Sequence, residues 1–256
     1  MTLLSQRYDP ELYALLHVGN AGDLDFYREA CAGAEAVLAL GCGHGRVLRA
    51  LAGAGVAVVG LDLDDGLLAL AERLRDRLRP AAAGLIELVH GDMRGFDLGR
   101  TFDRVILPYG GLYCLTTPDE RRRCLAAIRR HLAPGGQVLF DVYYADPVHD
   151  DLIGGGVTED GPTKVATLRW RGRRWDVHER SRWDTAQQRV DVTYEHIPHG
   201  GGDPVITGLT HHYLLQRELL PLFANAGLRV DDLHGDFAGG PIVETSELLV
   251  GRAQHL

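Results

Sequence analysis

The residues with most chemical content are three glycines at alternate positions, Gly41, Gly43 and Gly45, and two acids further on, Asp62 and Asp92. Glycine lets the backbone take unusual angles and approach a ligand closely, with the first amides of a following helix facing it. The spacing is G-x-G-x-G. A dinucleotide fold asks for G-x-G-x-x-G, and Arg46 stands where its third glycine would be; a P-loop needs Gly-Lys-Ser or Gly-Lys-Thr, and none follows. Asp62 closes an apolar run about 20 residues beyond the first glycine, the separation at which a ribose hydroxyl pair is held. Asp92 and Met93 close a third apolar run and offer a carboxylate for an amine and a thioether for an adenine face. Together these strand ends suggest an adenosine-shaped site.

The elements that must position these groups follow from the apolar runs. Val37-Leu38-Ala39-Leu40 is apolar without alternation, as in a strand buried on both faces, and Leu48-Arg49-Ala50-Leu51 returns to helical spacing. Residues 56–62 and 85–90 read as the second and third strands, and 101–107 as the fourth, running into Pro108-Tyr109-Gly110-Gly111-Leu112-Tyr113. In an open α/β sheet the ligand lies outside the carboxyl ends of the strands, so this turn should border the reacting centre. Asp64 and Asp65 open a helix whose arginines come late, which suits the helix dipole, and Pro80 ends it. Thr117 or Asp119 opens the next helix, and Pro134-Gly135-Gly136 turns into a fifth strand over 137–142, with Tyr143 just past its end.

Ahead of this core, residues 11–18 and 23–31 read as two short helices rich in rings: Tyr13, His17, Phe26 and Tyr27. After it the α/β rhythm stops. A glycine loop at 154–156 precedes three partly alternating strands over 175–183, 189–197 and 205–214, which also hold or adjoin Trp170, Trp175 and Trp183. A helix over 216–226, with Leu219, Leu220, Leu222 and Phe223 inward, and strands over 228–234 and 247–251 resume the core. The long loop between those strands has the length and composition of a substrate-facing edge. The expected division is a helical cap over 1–34, a core over 35–146 and 216–256, and an antiparallel β insertion, a substrate lid, over 147–215.

Four stretches in order, Leu40-Gly41-Cys42-Gly43-His44-Gly45-Arg46, Gly60-Leu61-Asp62-Leu63, Gly91-Asp92-Met93-Arg94 and Leu132-Ala133-Pro134-Gly135-Gly136, resemble the successive motifs of class I S-adenosylmethionine-dependent methyltransferases. The resemblance covers roughly residues 35–142. It implies an α/β fold, a Rossmann-like, mostly parallel seven-stranded sheet with helices on both faces, and S-adenosylmethionine as cofactor with S-adenosylhomocysteine as product. It also implies cofactor contacts from Tyr13, Gly41, Gly43, Gly45, Asp62, Leu63, Asp92, Met93 and Pro108. Tyr13-Ala14-Leu15-Leu16-His17 is similar to the Tyr-x-Leu-x-Tyr of sugar-amine N-methyltransferases, with His17 in place of the second Tyr. Tyr27, Tyr109, Tyr113 and Tyr143 are the residues expected to face an acceptor. Two departures stand out: the family usually carries Glu or Asp two residues before the first glycine, where this chain has Ala39, and a small Thr or Ser where it has His44. A lost charge-assisted contact is worth roughly 1.5–3 kcal/mol, about tenfold to a hundredfold in affinity.

Composition bounds the function. The 256 residues are 45% hydrophobic with a net charge of −8, enough for a full core and unsuited to broad nucleic-acid or anionic-membrane binding. Cys31, Cys42, Cys114 and Cys124 form no C-x-x-C pair, no apolar stretch approaches a membrane span, and no signal-like start is seen, so the expected setting is the cytoplasm. Histidines such as His196, His199, His211 and His212 lack carboxylates or cysteines at ligand spacing, and no metal is expected. The expected reaction is in-line methyl transfer to an oxygen or nitrogen of a small molecule, such as a secondary metabolite, in a protein that acts alone or as a homodimer. A base is needed only if the acceptor starts protonated, and His17, His211 and His212 are the candidates. The competing reading is a relative that binds the cofactor without transferring its methyl group, and Ala39 is its support.

Overall fold

The computed structural model describes residues 8–152 and 157–256; the expected glycine loop at 154–156 lies outside the described residues. The chain divides into two compact units, one of residues 19–146 with 214–256 and the other of residues 1–18 with 147–213. The sequence reading joined the two N-terminal helices into one cap, whereas this division puts the first with the insertion and the second with the core.

In the larger unit the strands are β1 (Val37–Leu40), β2 (Val58–Asp62), β3 (Ile86–His90), β4 (Phe102–Leu107), β5 (Leu132–Tyr143), β11 (Leu228–His234) and β12 (Leu248–His255). They form one sheet in the order β11-β12-β5-β4-β1-β2-β3, parallel except for β12, which runs antiparallel to both neighbours. This is the seven-stranded, mostly parallel sheet expected. All four residues of β1 are buried, as a central strand with helices on both faces requires. Helices α2 (Asp23–Ala30), α3 (Arg46–Gly53), α4 (Asp65–Asp76), α5 (Pro80–Ala83), α6 (Pro118–His131) and α8 (Gln216–Asn225) connect or flank these strands.

Local rules set the helix ends. The Asp64 side chain accepts the Leu67 N–H at 2.9 Å at the start of α4, and Thr117 and Glu120 close a reciprocal cap on α6. The helix expected to end at Pro80 stops earlier, at Asp76 with Arg77 as its cap, and Pro80 instead opens the four-residue α5, since its fixed φ suits a first helical position. The Pro134-Gly135-Gly136 turn is absorbed into β5, which begins at Leu132 beside Phe102 with a register shift before Arg104. On α8, Leu219 and Phe223 are buried as expected, while Leu220, at the side of that stripe, is exposed.

In the smaller unit, α1 (Pro10–Leu16) starts at Asp9, whose side chain accepts the Glu11 and Leu12 N–H groups, and packs by Leu12 on an antiparallel sheet. That sheet holds β6 (Val157–Glu159), β7 (Thr163–Trp170), β8 (Arg173–Asp184), β9 (Arg189–Pro198) and β10 (Val205–His212). Its last three strands match the expected three, and β6 and β7 come in addition. Trp170 and Trp175 are buried in its core with Val177 and Tyr194, and Trp183 packs against Tyr213. A short helix, α7 (Asp146–Asp151), lies at the junction of the two segments. Among the described residues no helix is long and apolar enough to cross a membrane.

Candidate active site

At the carboxyl end of β1 the chain takes three left-handed glycines in succession at alternate positions, with φ of 63° at Gly41, 55° at Gly43 and 86° at Gly45. Only glycine adopts this without strain. A Cβ on Gly41 or Gly43 would meet nothing within 4 Å, so the loop presents bare backbone to open space, whereas a Cβ on Gly45 would press on the Ala71 Cβ at 3.1 Å. Asp62, the last residue of β2, braces the loop from the side: it accepts the Gly43 N–H at 2.7 Å and the Asp64 N–H at 2.9 Å. Burial pushes its carboxyl above the usual range, and those two amide bonds pull the other way. Gly60, two residues earlier, leaves the space that the Leu48 and Cys42 side chains fill, where a Cβ would come within 2.5 Å and 2.9 Å of them.

Leu63 follows, 56% exposed, at the rim of this edge. Asp92 lies past β3 and accepts the Arg94 N–H at 2.8 Å, with the guanidinium of Arg94 bridging on to Glu120 at 2.8 Å. Hydrogen bonding from Arg94 is the main reason the Asp92 carboxyl lies below the usual range and Glu120 is pulled down to about 2. Met93 beside it is half-buried.

The turn after β4 is organised by a residue that sequence reading missed. Asp141, near the end of β5 and 1% exposed, accepts the Tyr109 N–H through both oxygens at 2.9 and 3.0 Å and the Tyr27 hydroxyl at 2.6 Å. Burial pushes its carboxyl up to about 6. Tyr109 itself is left-handed, with φ 56°, a conformation that costs a non-glycine residue about 1–2 kcal/mol and that the Asp141 clamp holds in place. Pro108 is buried behind it. Of the four tyrosines expected to face an acceptor, Tyr109 and Tyr143 keep part of their surface open. Tyr27 and Tyr113 are fully buried, the first committed to Asp141 and the second donating to the Leu214 carbonyl at 3.0 Å. One acid inside the apolar stretch Val138-Leu139-Phe140-Asp141-Val142 was the available signal for this network.

A second network lies under the glycine loop. Arg46, the first residue of α3, meets Asp23 at the start of α2 with two bonds of 2.8 and 2.5 Å, and Asp23 also accepts the Asn20 N–H at 3.1 Å. Asp23 is 2% exposed, so the pair is buried on the acid's side. Ala39 is fully buried in the apolar core. His44 in the loop is pushed below its ordinary value by burial and then by Arg46 and Arg49.

The other candidates belong to the smaller unit. Tyr13 and His17 come together there, with ring centroids 4.2 Å apart at the end of α1. His211 and His212 lie side by side at the end of β10, opposite Val190 and Arg189, and burial followed by the neighbouring His212 pushes His211 down to about 4. His196 is fully buried, with Nε2 2.9 Å from the Thr207 hydroxyl, and burial pushes it to about 4. His199 pairs with Asp176 at 3.1 Å.

A sheet with this strand order and a bare glycine turn braced by an acid on the neighbouring strand defines a nucleoside-cofactor protein of the Rossmann-like class. Residues 37–136 match the model of a methyltransferase domain family. The chain is 30% identical over 247 residues to the dTDP-3-amino-3,6-dideoxy-alpha-D-glucopyranose N,N-dimethyltransferase of Streptomyces fradiae, covering 90% of this chain and 87% of that one. It is 28% identical to the dTDP-3-amino-3,4,6-trideoxy-alpha-D-glucopyranose N,N-dimethyltransferase of Streptomyces venezuelae, covering 90% and 93%. Among solved structures, the CcbJ methyltransferase of Streptomyces caelestis superposes with a TM-score of 0.77 at 25% identity, over 91% of this chain and 89% of that one. The chain belongs to the class I S-adenosylmethionine-dependent methyltransferases. It is an enzyme of that family, with S-adenosylmethionine as its cofactor.

The residues present fit that cofactor. The open backbone at Gly41 and Gly43 leaves room that any Cβ would take, and Asp62 offers a carboxylate at the level of the loop. The same donor set suits a group carrying both a ribose diol and a charged amino-acid end.

Proposed function

We propose that this enzyme methylates the amine nitrogen of a small amino sugar or a related secondary metabolite. The observation that carries the reading is the loop geometry: three left-handed glycines, with open space beyond Gly41 and Gly43 and with Asp62 bonded to the Gly43 N–H at 2.7 Å. The substrate class is supported by the relatives, which are named as N,N-dimethyltransferases of dTDP-linked amino sugars and align over 90% of this chain.

When bound, the cofactor supplies an electrophilic methyl group on a cationic sulfur and leaves as S-adenosylhomocysteine. The backbone of Gly41–Gly45 would receive its amino-acid end and Asp62 its ribose hydroxyls, each through hydrogen bonds that fix orientation. The Pro108-Tyr109 turn, locked by Asp141, would form a rigid wall beside the acceptor and limit water there. Alignment of donor and acceptor supplies much of the acceleration in such a reaction. An unprotonated amine attacks with its own lone pair, so no protein nucleophile is required, and the proton released from the new ammonium passes to solvent. The net charge of −8 favours a small acceptor over a nucleic acid.

The test is incubation with S-adenosylmethionine and amino-sugar acceptors, followed by mass spectrometry. Methyl groups on the amine, matched mole for mole by S-adenosylhomocysteine, are expected. Methylation at hydroxyl oxygen alone, or S-adenosylhomocysteine formed without a methylated amine, would contradict the reading.

A further inference from the structure

Within the larger unit, a cleft of about 520 Å³ opens beside the loop between β11 and β12 and the turn that precedes α2. Its volume is in the range of pockets that hold a small ligand. The loop leaves the carboxyl end of β11, which is the edge of the sheet where the glycine loop lies. Its own bonds shape it: Asp236 accepts the Ala238 and Gly240 N–H groups, each at 2.8 Å, and Ser246 accepts the Val243 N–H at 3.0 Å. Contacts tie it to the core. Phe237 packs on Phe26 of α2 with centroids 5.6 Å apart, and the Glu247 carbonyl accepts the Tyr144 N–H at 2.9 Å just past β5. On the opposite wall Asn20 gives its N–H to Asp23, the residue that grips Arg46 at the start of α3. The cleft is thus a preformed feature, joined by a chain of named contacts to the glycine loop.

Its lining is selective. Phe237 and Leu248 give an apolar floor; Asn20, Thr245 and Ser246 offer the amide and hydroxyl groups that sugar hydroxyls pair with; Asp236 and Glu247 bring two carboxylates. Among the described residues that line it, none is basic. A diphosphate placed here would meet like charge from Asp236 and Glu247, and the nearby Arg46 guanidinium is already paired with Asp23, whereas an ammonium would meet opposite charge.

We infer that this cleft admits an amine-bearing sugar that carries no nucleotide, so that the acceptor of this enzyme differs in class from the dTDP-linked sugars named for its relatives. The inference rests on the reading of the chain as an N-methyltransferase, but its test is a binding measurement that does not need transfer. The acidic walls capture the acceptor as its ammonium form, which sheds a proton to solvent before the nitrogen can react.

The experiment titrates the full chain, saturated with S-adenosylhomocysteine, with two probes that share one amine: the methyl glycoside of 3-amino-3,6-dideoxyglucose and the dTDP-linked form of the same sugar. The methyl glycoside should bind at least about tenfold more tightly, with an advantage that shrinks at high salt. Glu247→Lys should reduce that preference by about tenfold or reverse it, and Glu247→Gln should fall between, since the exposed side chain is replaced without touching the loop's own bonds. Tighter binding of the dTDP form, an unchanged ratio in Glu247→Lys, or no binding of either probe would overturn the inference. A glycoside that binds as stated but is never methylated would count against the N-methylation reading and leave this one standing.

Discussion

Asp141 accepts the backbone N–H of Tyr109 through both carboxylate oxygens, at 2.9 and 3.0 Å, and so holds a left-handed tyrosine at the end of β4. The same carboxylate takes the Tyr27 hydroxyl at 2.6 Å, which joins the turn to α2. The Pro108-Tyr109 turn is therefore held by a buried acid on the neighbouring strand β5.

Asp141→Ala strands two buried donors and should cost about 2–4 kcal/mol of unfolding free energy. Tyr27→Phe keeps the Tyr109 clamp and should cost about 1 kcal/mol. Urea unfolding checks both; equal costs for the two variants would contradict the proposed hierarchy.

The pH dependence of stability should reveal two opposed groups. Asp141 is raised from its ordinary 3.8 to about 6, so the native state holds a proton that the unfolded chain releases, and the stability from this group, full below about pH 4, is lost as pH rises through about 6. His196 is lowered from 6.5 to about 4, so its contribution is full above about pH 6.5 and is lost as pH falls through about 4. Each displacement corresponds to roughly 3 kcal/mol. The two slopes oppose each other between about pH 4 and 6 in the wild type. Unfolding free energy of Asp141→Asn should therefore rise more steeply with pH across that window than the wild type's, and that of His196→Asn less steeply, His211 at about 4 still contributing in the same direction. Parallel profiles for all three proteins would rule out both assignments.

Removing Asp23 leaves Arg46 without its bidentate partner and the Asn20 N–H without its acceptor. Asp23→Ala should cost about 3–5 kcal/mol, as for one side of a buried pair. The double variant with Arg46→Ala should cost less than the sum of the singles by at least about 1 kcal/mol, read from denaturant midpoints in a double-mutant cycle. Strict additivity would mean that the contact carries no net energy.

The glycine loop separates strain from ligand contact. Gly43→Ala, with φ 55° and open space around it, should cost about 1–2 kcal/mol of stability. Gly45→Ala, with φ 86° and the Ala71 Cβ at 3.1 Å, should cost more. Cofactor affinity should fall by at least about tenfold in Gly43→Ala, because the added methyl group enters the space the loop keeps open. Calorimetry on a variant shown to be folded checks this.

The parallel core could be read from sequence because its strands are uninterrupted apolar runs: Val37 to Leu40 and Val58 to Leu61 are buried on both faces and end in chemistry-bearing residues. The edge of the second sheet could not. Strand β7 alternates only over its last five residues, with Ala166, Leu168 and Trp170 inward, and β6 is three residues long, so neither shows a period over the length needed to read a strand. Leu220 was misplaced because helical spacing alone does not say which of two adjacent leucines faces inward. Asp141 with Tyr27, and Asp23 with Arg46, are long-range pairs; nothing local at any of these four residues announces its partner 114 or 23 positions away.

The central claim is that the carboxyl edge of the sheet binds S-adenosylmethionine through the glycine loop and Asp62. The most direct measurement is calorimetric titration of the wild type and of Asp62→Ala with S-adenosylhomocysteine, beside a check that the variant remains folded. The account predicts saturable one-to-one binding to the wild type and a loss of at least about tenfold in the folded variant, since a hydrogen-bonded carboxylate is worth more than about 1.4 kcal/mol. Absence of binding to the wild type, or equal affinity for the two proteins, would contradict it.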